Sequence, residues 1–227
     1  MISNARILKS FLEGATPDCI CDSKLLTIRP CYSESSKHQL KTIKNGIMIK
    51  KEILKINKNG ETLTITKSAT ETNGQITEFE GTDEPGIGPP MHVHFKQEEM
   101  VRVTKGKMRV KTLTKEFSLT EGREYIFSPG EAHQFWNEGD QTLHYSGHVK
   151  PSNNYEYFIK QVYQSSNEAN DDKPGPFDAA FLLTKYKSEM DMLVIPKPVK
   201  SILFPIFLAI GKLTGKYKKY ADAPSAI

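Results

Sequence analysis

The sequence predicts a mainly β protein, a sandwich or barrel of short strands with an α-helical C-terminal extension. Three observations predict it: turn dipeptides at close spacing, alternating polarity between them, and a late change to a helical period. Across residues 51–149, Asn59-Gly60 and Asn73-Gly74 are hairpin or turn dipeptides, and the neighbouring segments 61–66 and 75–80 alternate in polarity. Lys107, Arg109 and Lys111 alternate with Met108, Val110 and Thr112, so one face of that strand is wet and the other dry. Many short strands at regular spacing indicate a sandwich or barrel.

After Pro151 the period lengthens. Tyr155, Phe158, Ile159, Val162 and Tyr163 fall at i, i+3, i+4, i+7 and i+8, and Asn153 with Glu156 has the spacing of a capping box, which predicts a helix. Residues 166–176 read as a polar loop, 177–186 as a second helix, and the remainder up to Leu213 as an apolar segment broken by proline. The chain therefore divides into an N-terminal extension over 1–47, a β-barrel over 48–150 and a helical extension over 151–227. The first of these lacks sustained periodicity and is expected to be poorly ordered, and Met48 is a candidate natural start. There is no internal repeat, so one barrel is expected.

Composition narrows the class. Of 227 residues, 37% are hydrophobic and 26% charged, a mixture that supports a packed core and argues against disorder. The net charge is +4, but lysines alternate with acids along most of the chain, which argues against nucleic-acid binding. Basic residues do gather near the C-terminus, where Lys197, Lys200, Lys212, Lys216, Lys218 and Lys219 bracket the apolar stretch 202–211. That stretch is interrupted by Pro205 and is about half of the ~20 residues a spanning helix needs, so no transmembrane span is expected. Cys19, Cys21 and Cys31 are odd in number and form no CxxC pair; with no apolar leader visible, they fit unpaired thiols in a reducing cytoplasm.

The chemistry concentrates in two short runs. His92 and His94 lie two apart, so on an extended strand both imidazoles point to one face and Val93 to the other. Parity also selects the carboxylate. With Glu99 inward, Val101 and Val103 share its face, whereas an inward Glu98 would force Arg102 into the core. Glu98 and Gln97 are then expected in a solvated turn. Downstream, Pro129-Gly130 is a turn pair that aims the next strand and sets His133 at its start, beside the first two histidines.

Gly86, His92, His94, Glu99 and Gly106 match the first cupin motif, and Gly122, Gly130, His133 and Asn137 match the second, except that Pro129 sits one place later than the usual proline. Together with His92-Val93-His94-Phe95-Lys96-Gln97-Glu98-Glu99, His133-Gln134-Phe135-Trp136-Asn137 and the helical tail, they make the chain resemble small bacterial single-barrel (type-2) cupins. The resemblance covers roughly the central hundred residues. It implies a cupin jelly-roll β-barrel, the double-stranded β-helix, with a metal held by His92, His94, Glu99 and His133, and it implies no particular substrate.

Three imidazoles and a carboxylate suit one divalent ion of Fe, Mn, Ni, Zn or Cu. The leading expectation is a metal-dependent, dioxygenase-like oxidoreductase acting on a small organic molecule. The alternatives are a non-enzymatic sensor or ligand-binding barrel and a metal-dependent isomerase or lyase. Tyr145, Phe135 and His144 are the candidate substrate-binding residues. A solvent face accounts for His144 and His148, and only if that face bordered the cavity would His144 touch a ligand. Trp136, Phe135, Phe127 and Tyr125 read first as core. Met91, Val93 and Phe95, on the outer face of the histidine strand, call for a cover, which the helix over 155–163 and the segment 202–213 could supply within one chain or across a homodimer, with a membrane-surface role for that lysine-flanked tail as the alternative.

Overall fold

The computed structural model describes residues 51–227. The expectations placed on residues 1–47, and the three cysteines, lie outside these. Ten strands come first: β1 Glu52–Lys55, β2 Thr62–Lys67, β3 Thr77–Asp83, β4 His92–His94, β5 Glu98–Lys105, β6 Lys107–Thr112, β7 Glu116–Thr120, β8 Glu124–Phe127, β9 His133–Asn137 and β10 Leu143–Lys150. Helices α1 Tyr155–Ala169 and α2 Pro176–Lys185 follow, then β11 Met190–Met192 and α3 Phe204–Leu213.

All pairings are antiparallel and form two sheets, ordered β1-β2-β3-β10-β5-β8 and β11-β4-β9-β6-β7. No strand belongs to both, so the expected barrel is a two-sheet jelly roll and not a cylinder closed by hydrogen bonds. Alternation does the sorting. In β5, Glu99, Val101 and Val103 are buried while Arg102 is exposed, and in β6, Met108, Val110 and Thr112 are buried between half-exposed or exposed basic residues. One apolar cluster between the sheets joins Leu63, Ile65, Phe79, Val101, Val110 and Phe135, among others. Gly81 belongs to this packing, because a Cβ there would lie 2.2 Å from the Tyr145 ring.

The helical extension departs from expectation in four ways. First, α1 has no capping box: its N-cap is Asn154, Asn153 stands at φ +43°, and the N-cap side chain makes no capping bond. The carboxylate of Glu189 instead accepts the Asn154 backbone N–H at 3.1 Å and its side-chain amide at 2.6 Å, a negative charge at a helix N-terminus. Glu156 is diverted to the β2–β3 connection, where it accepts from Ala69 N–H and, at 2.8 Å, from the Thr77 hydroxyl. Second, α1 runs on to Ala169, through the start of the expected loop.

Third, Pro205 does not break the last segment. A π-helical turn over Val199–Leu203 leads directly into α3, and Pro205 falls in its first turn, where a missing N–H is tolerated. Nor does the extension serve mainly as an outer cover. Tyr155 and Tyr163 of α1 join the core cluster of the jelly roll, and Phe204 of α3 packs in a second cluster with Leu182, Tyr186 and Met190. Val93 is buried all the same, but Phe95 stays 45% exposed. No described helix is long and apolar enough to cross a membrane.

Candidate metal centre

Strand β4 is only three residues long and is held on both sides. On one side His92 pairs with His133 of β9; on the other, Met190, Asp191 and Met192 of β11 pair with His94, Val93 and His92. The sequence carried no sign of β11, since Met190-Asp191-Met192 has too few residues to show a period. The Pro129-Gly130 turn completes the frame. Gly130 takes φ +85° and donates its N–H to the His94 carbonyl at 2.7 Å, so the displaced proline still delivers β9 beside β4.

Four side chains converge as a result. One carboxylate oxygen, Oε2 of Glu99, lies 3.1 Å from His133 Nε2, 3.2 Å from His94 Nε2 and 3.6 Å from His92 Nε2. All four residues are buried or nearly so. The far nitrogens of two rings are already committed: His92 Nδ1 donates to the Pro90 carbonyl and His133 Nδ1 to the Glu131 carbonyl, each at 2.8 Å. A carbonyl can only accept, so both rings carry their proton on Nδ1 when neutral and turn an Nε2 lone pair towards Glu99. Burial, then the neighbouring His133 and despite the Glu99 carboxylate, pushes His92 down to about 4, which keeps it neutral at pH 7.

Lone pairs gathered around a carboxylate oxygen repel unless a cation lies among them. The donor atoms of His92, Glu99 and His133 all fall within 4.8 Å of one another, a spacing that can hold a metal ion. His94 is placed with them by its 3.2 Å approach to Glu99, but its Nδ1 has no partner among the described residues. Burial acts to raise the Glu99 carboxyl, yet hydrogen bonds from His133, His92 and His94, which need a proton on Nε2 in the place a cation would take, outweigh it and hold the group well below its ordinary value. Phe127 stacks on the His133 ring at 3.7 Å between centroids, and Tyr155 meets His94 edge-on at 5.9 Å.

Glu98 lies on the opposite face, bonded to Lys150 at 2.9 Å and near His148 at 3.6 Å. Gln97 is not solvated as expected: it is 1% exposed, and its amide has no partner among the described residues.

His92, His94 and Glu99 open onto a cavity of about 550 Å³ lined by both sheets, α1, α2 and β11. Tyr145 and Phe135 line it, but His144 is exposed on the other face of β10, because successive strand residues alternate, and it does not reach the cavity. Sequence reasoning missed the other end of this space. Glu61 lines the cavity and accepts a 2.5 Å hydrogen bond from the Tyr163 hydroxyl; burial pushes its pKa up, opposed by the bonds from Tyr163 and Asn59. Behind Tyr145, Asp83 is fully buried and neither carboxylate oxygen has a well-formed partner among the described residues. Burial and then the nearby Glu61 push Asp83 up to about 8, partly opposed by the Tyr145 hydroxyl. In the sequence Glu61 shows only as the first residue of the alternating segment after Asn59-Gly60, and only the packing of α1 against it brings it to the cavity.

Residues 79–146 match the family described as cupin domain. Among solved structures it is similar to a sugar phosphate isomerase of the cupin superfamily from Silicibacter pomeroyi (22% identity, 40% of this chain and 59% of that one, TM-score 0.36). It is also similar to a predicted oxalate decarboxylase from Thermotoga maritima (16% identity, 45% and 92%, TM-score 0.41). A third is the cupin domain of an XRE family transcriptional regulator from Enterobacter cloacae (17% identity, 40% and 95%, TM-score 0.35). The matched part thus spans less than two thirds of the first of these chains. No curated protein matches the sequence.

Proposed function

We propose that this cupin is a metal-dependent enzyme in which His92, His94, Glu99 and His133 hold one divalent ion and a small organic molecule occupies the adjoining cavity, with dioxygenase-like oxidation as the reaction. The observation that carries this reading is the approach of three Nε2 atoms to one Glu99 oxygen at 3.1–3.6 Å, two of them on rings whose Nδ1–H is already donated. A divalent ion there would supply Lewis acidity and, if it is Fe, Mn, Ni or Cu, redox chemistry with dioxygen; Zn would supply the first alone. The chain's own residues do the rest. Phe127 and Tyr155 fix the planes of two rings, while Phe135, Phe158 and Val162 give the cavity apolar walls that exclude water and favour an apolar ligand body.

A metal-dependent isomerase or lyase is the second reading, and Glu61 favours it. A buried carboxyl with a raised pKa in the same cavity is suited to accept or return a proton. Elemental analysis of protein purified without a metal-binding tag, followed by oxygen uptake with phenolic, enolic and thiol compounds, tests these readings. A redox metal and substrate-dependent oxygen consumption are expected. Solvent deuterium exchange into a substrate without oxygen uptake would transfer the case to the isomerase reading, and binding without turnover across the panel would make the protein a ligand sensor. Metal-free protein that also fails to take up metal on reconstitution would end both enzyme readings.

A further inference from the structure

The π-helical turn and α3 form one helical run over 199–213 that is apolar on two opposite faces. Phe204, Phe207, Leu208 and Gly211 turn inward to the second core cluster and to Tyr217. On the opposite side Ile202, Ile206, Ile210 and Leu213 recur at helical spacing and are 60%, 49%, 42% and 86% exposed, with Leu203 beside them at 42%. A helix apolar all round is normally buried, so an unpartnered ridge of this size marks a binding surface.

Charge identifies what the ridge meets. Residues 192–221 contain six lysines, Lys197, Lys200, Lys212, Lys216, Lys218 and Lys219, and no Asp or Glu. Lys200 is bonded to Asp191 and Lys219 to Glu168 and Asp178, while Lys197, Lys212, Lys216 and Lys218 have no ion pair among the described residues. A second copy docked ridge to ridge would bring two such lysine sets together without an acid from either segment between them. An anionic lipid surface takes both features at once, since its acyl boundary receives the isoleucines and its headgroups the lysines.

We infer that the ridge Ile202, Ile206, Ile210 and Leu213, with its lysine rim, seats this protein on the surface of an anionic lipid bilayer, lying in the interface without crossing it. This inference is independent of the proposed metal chemistry. Flotation of the full chain tests it, using vesicles of phosphatidylcholine alone and vesicles with phosphatidylserine in about equal part. The protein should float with the mixed vesicles and bind the neutral ones at least about tenfold more weakly, because each lysine near an anionic surface is worth roughly fivefold.

Ile206→Asp with Ile210→Asp should abolish flotation while leaving thermal stability unchanged, both side chains being exposed. Lys197→Glu with Lys212→Glu and Lys218→Glu should remove the preference for anionic lipid. No flotation by the parent chain, equal binding to both vesicles, or full binding by the isoleucine double variant would each overturn the proposal. So would a dimer of the parent chain, measured by light scattering, that the isoleucine double variant splits into monomers, since the ridge would then be an interface between copies.

Discussion

Glu99 and Glu61 line the same cavity and are both withdrawn from water, yet their pKa values move in opposite directions. Glu99 stands among three imidazole nitrogens and stays ionised although it is buried. Glu61 has hydrogen bonds from a phenol and an amide but no ion pair among the described residues, and burial, with the charge of Asp172 added, moves its pKa up. Burial alone does not determine what a carboxyl does. The groups that replace its water decide, and within one domain they lower the pKa of one carboxyl and leave that of the other raised.

The largest effect should come from removing the ionised partner. A structural four-donor site is worth about 10–16 kcal/mol, so losing one donor should cost roughly 3–4 kcal/mol, or between about 100- and 1,000-fold in metal affinity. Glu99→Gln and His133→Ala should therefore lose the metal and the thermal shift that metal addition produces. Glu98→Gln, changed on the outer face, should keep both. Metal loss from Glu98→Gln alone would mean that the strand register is wrong.

At the other end, Asp83 contributes a pH dependence whose sign follows from its raised pKa. In the unfolded chain its carboxyl loses its proton near pH 4, whereas the folded protein retains it up to about 8. Its contribution to stability is therefore complete below about pH 4 and is lost progressively as pH rises to about 8, by at most ~1.4 kcal/mol per pH unit. Asp83→Asn should flatten this decline and raise stability at pH 8 by on the order of 2 kcal/mol, with little change at pH 4. Melting temperatures of both proteins over that range would show it, and parallel curves would refute the buried neutral acid.

The smallest change sharpens the contrast. Tyr163→Phe removes the 2.5 Å donor to Glu61 and should cost about 1 kcal/mol, read from urea unfolding at neutral pH. Because that donor opposes the effect of burial, the Glu61 pKa should rise further, and stability should fall with pH over a wider interval than in the parent chain. Metal affinity should not change. A loss of metal in this variant would mean that the two ends are coupled.

Two-residue periodicity was enough, without a structure, to read the class of fold, the inward face of β5 and which of Glu98 and Glu99 turns inward, because each is a local property of an extended chain. The matches around His92, His94 and His133 were legible for the same reason, as their spacing lies within single strands and tight turns. What only the tertiary structure decided depends on residues far apart in sequence. Glu189 caps α1 from 35 residues away, β11 adds an edge to the histidine strand, and α1 meets Glu61 across 102 residues. Nor does a sequence show which side of an all-apolar helix is covered: Ile206 and Phe207 are equally hydrophobic neighbours, and only packing sends Phe207 towards the core and leaves Ile206 at the surface. Local spacing determines which way a side chain points, while burial and charge state depend on what the rest of the chain brings against it.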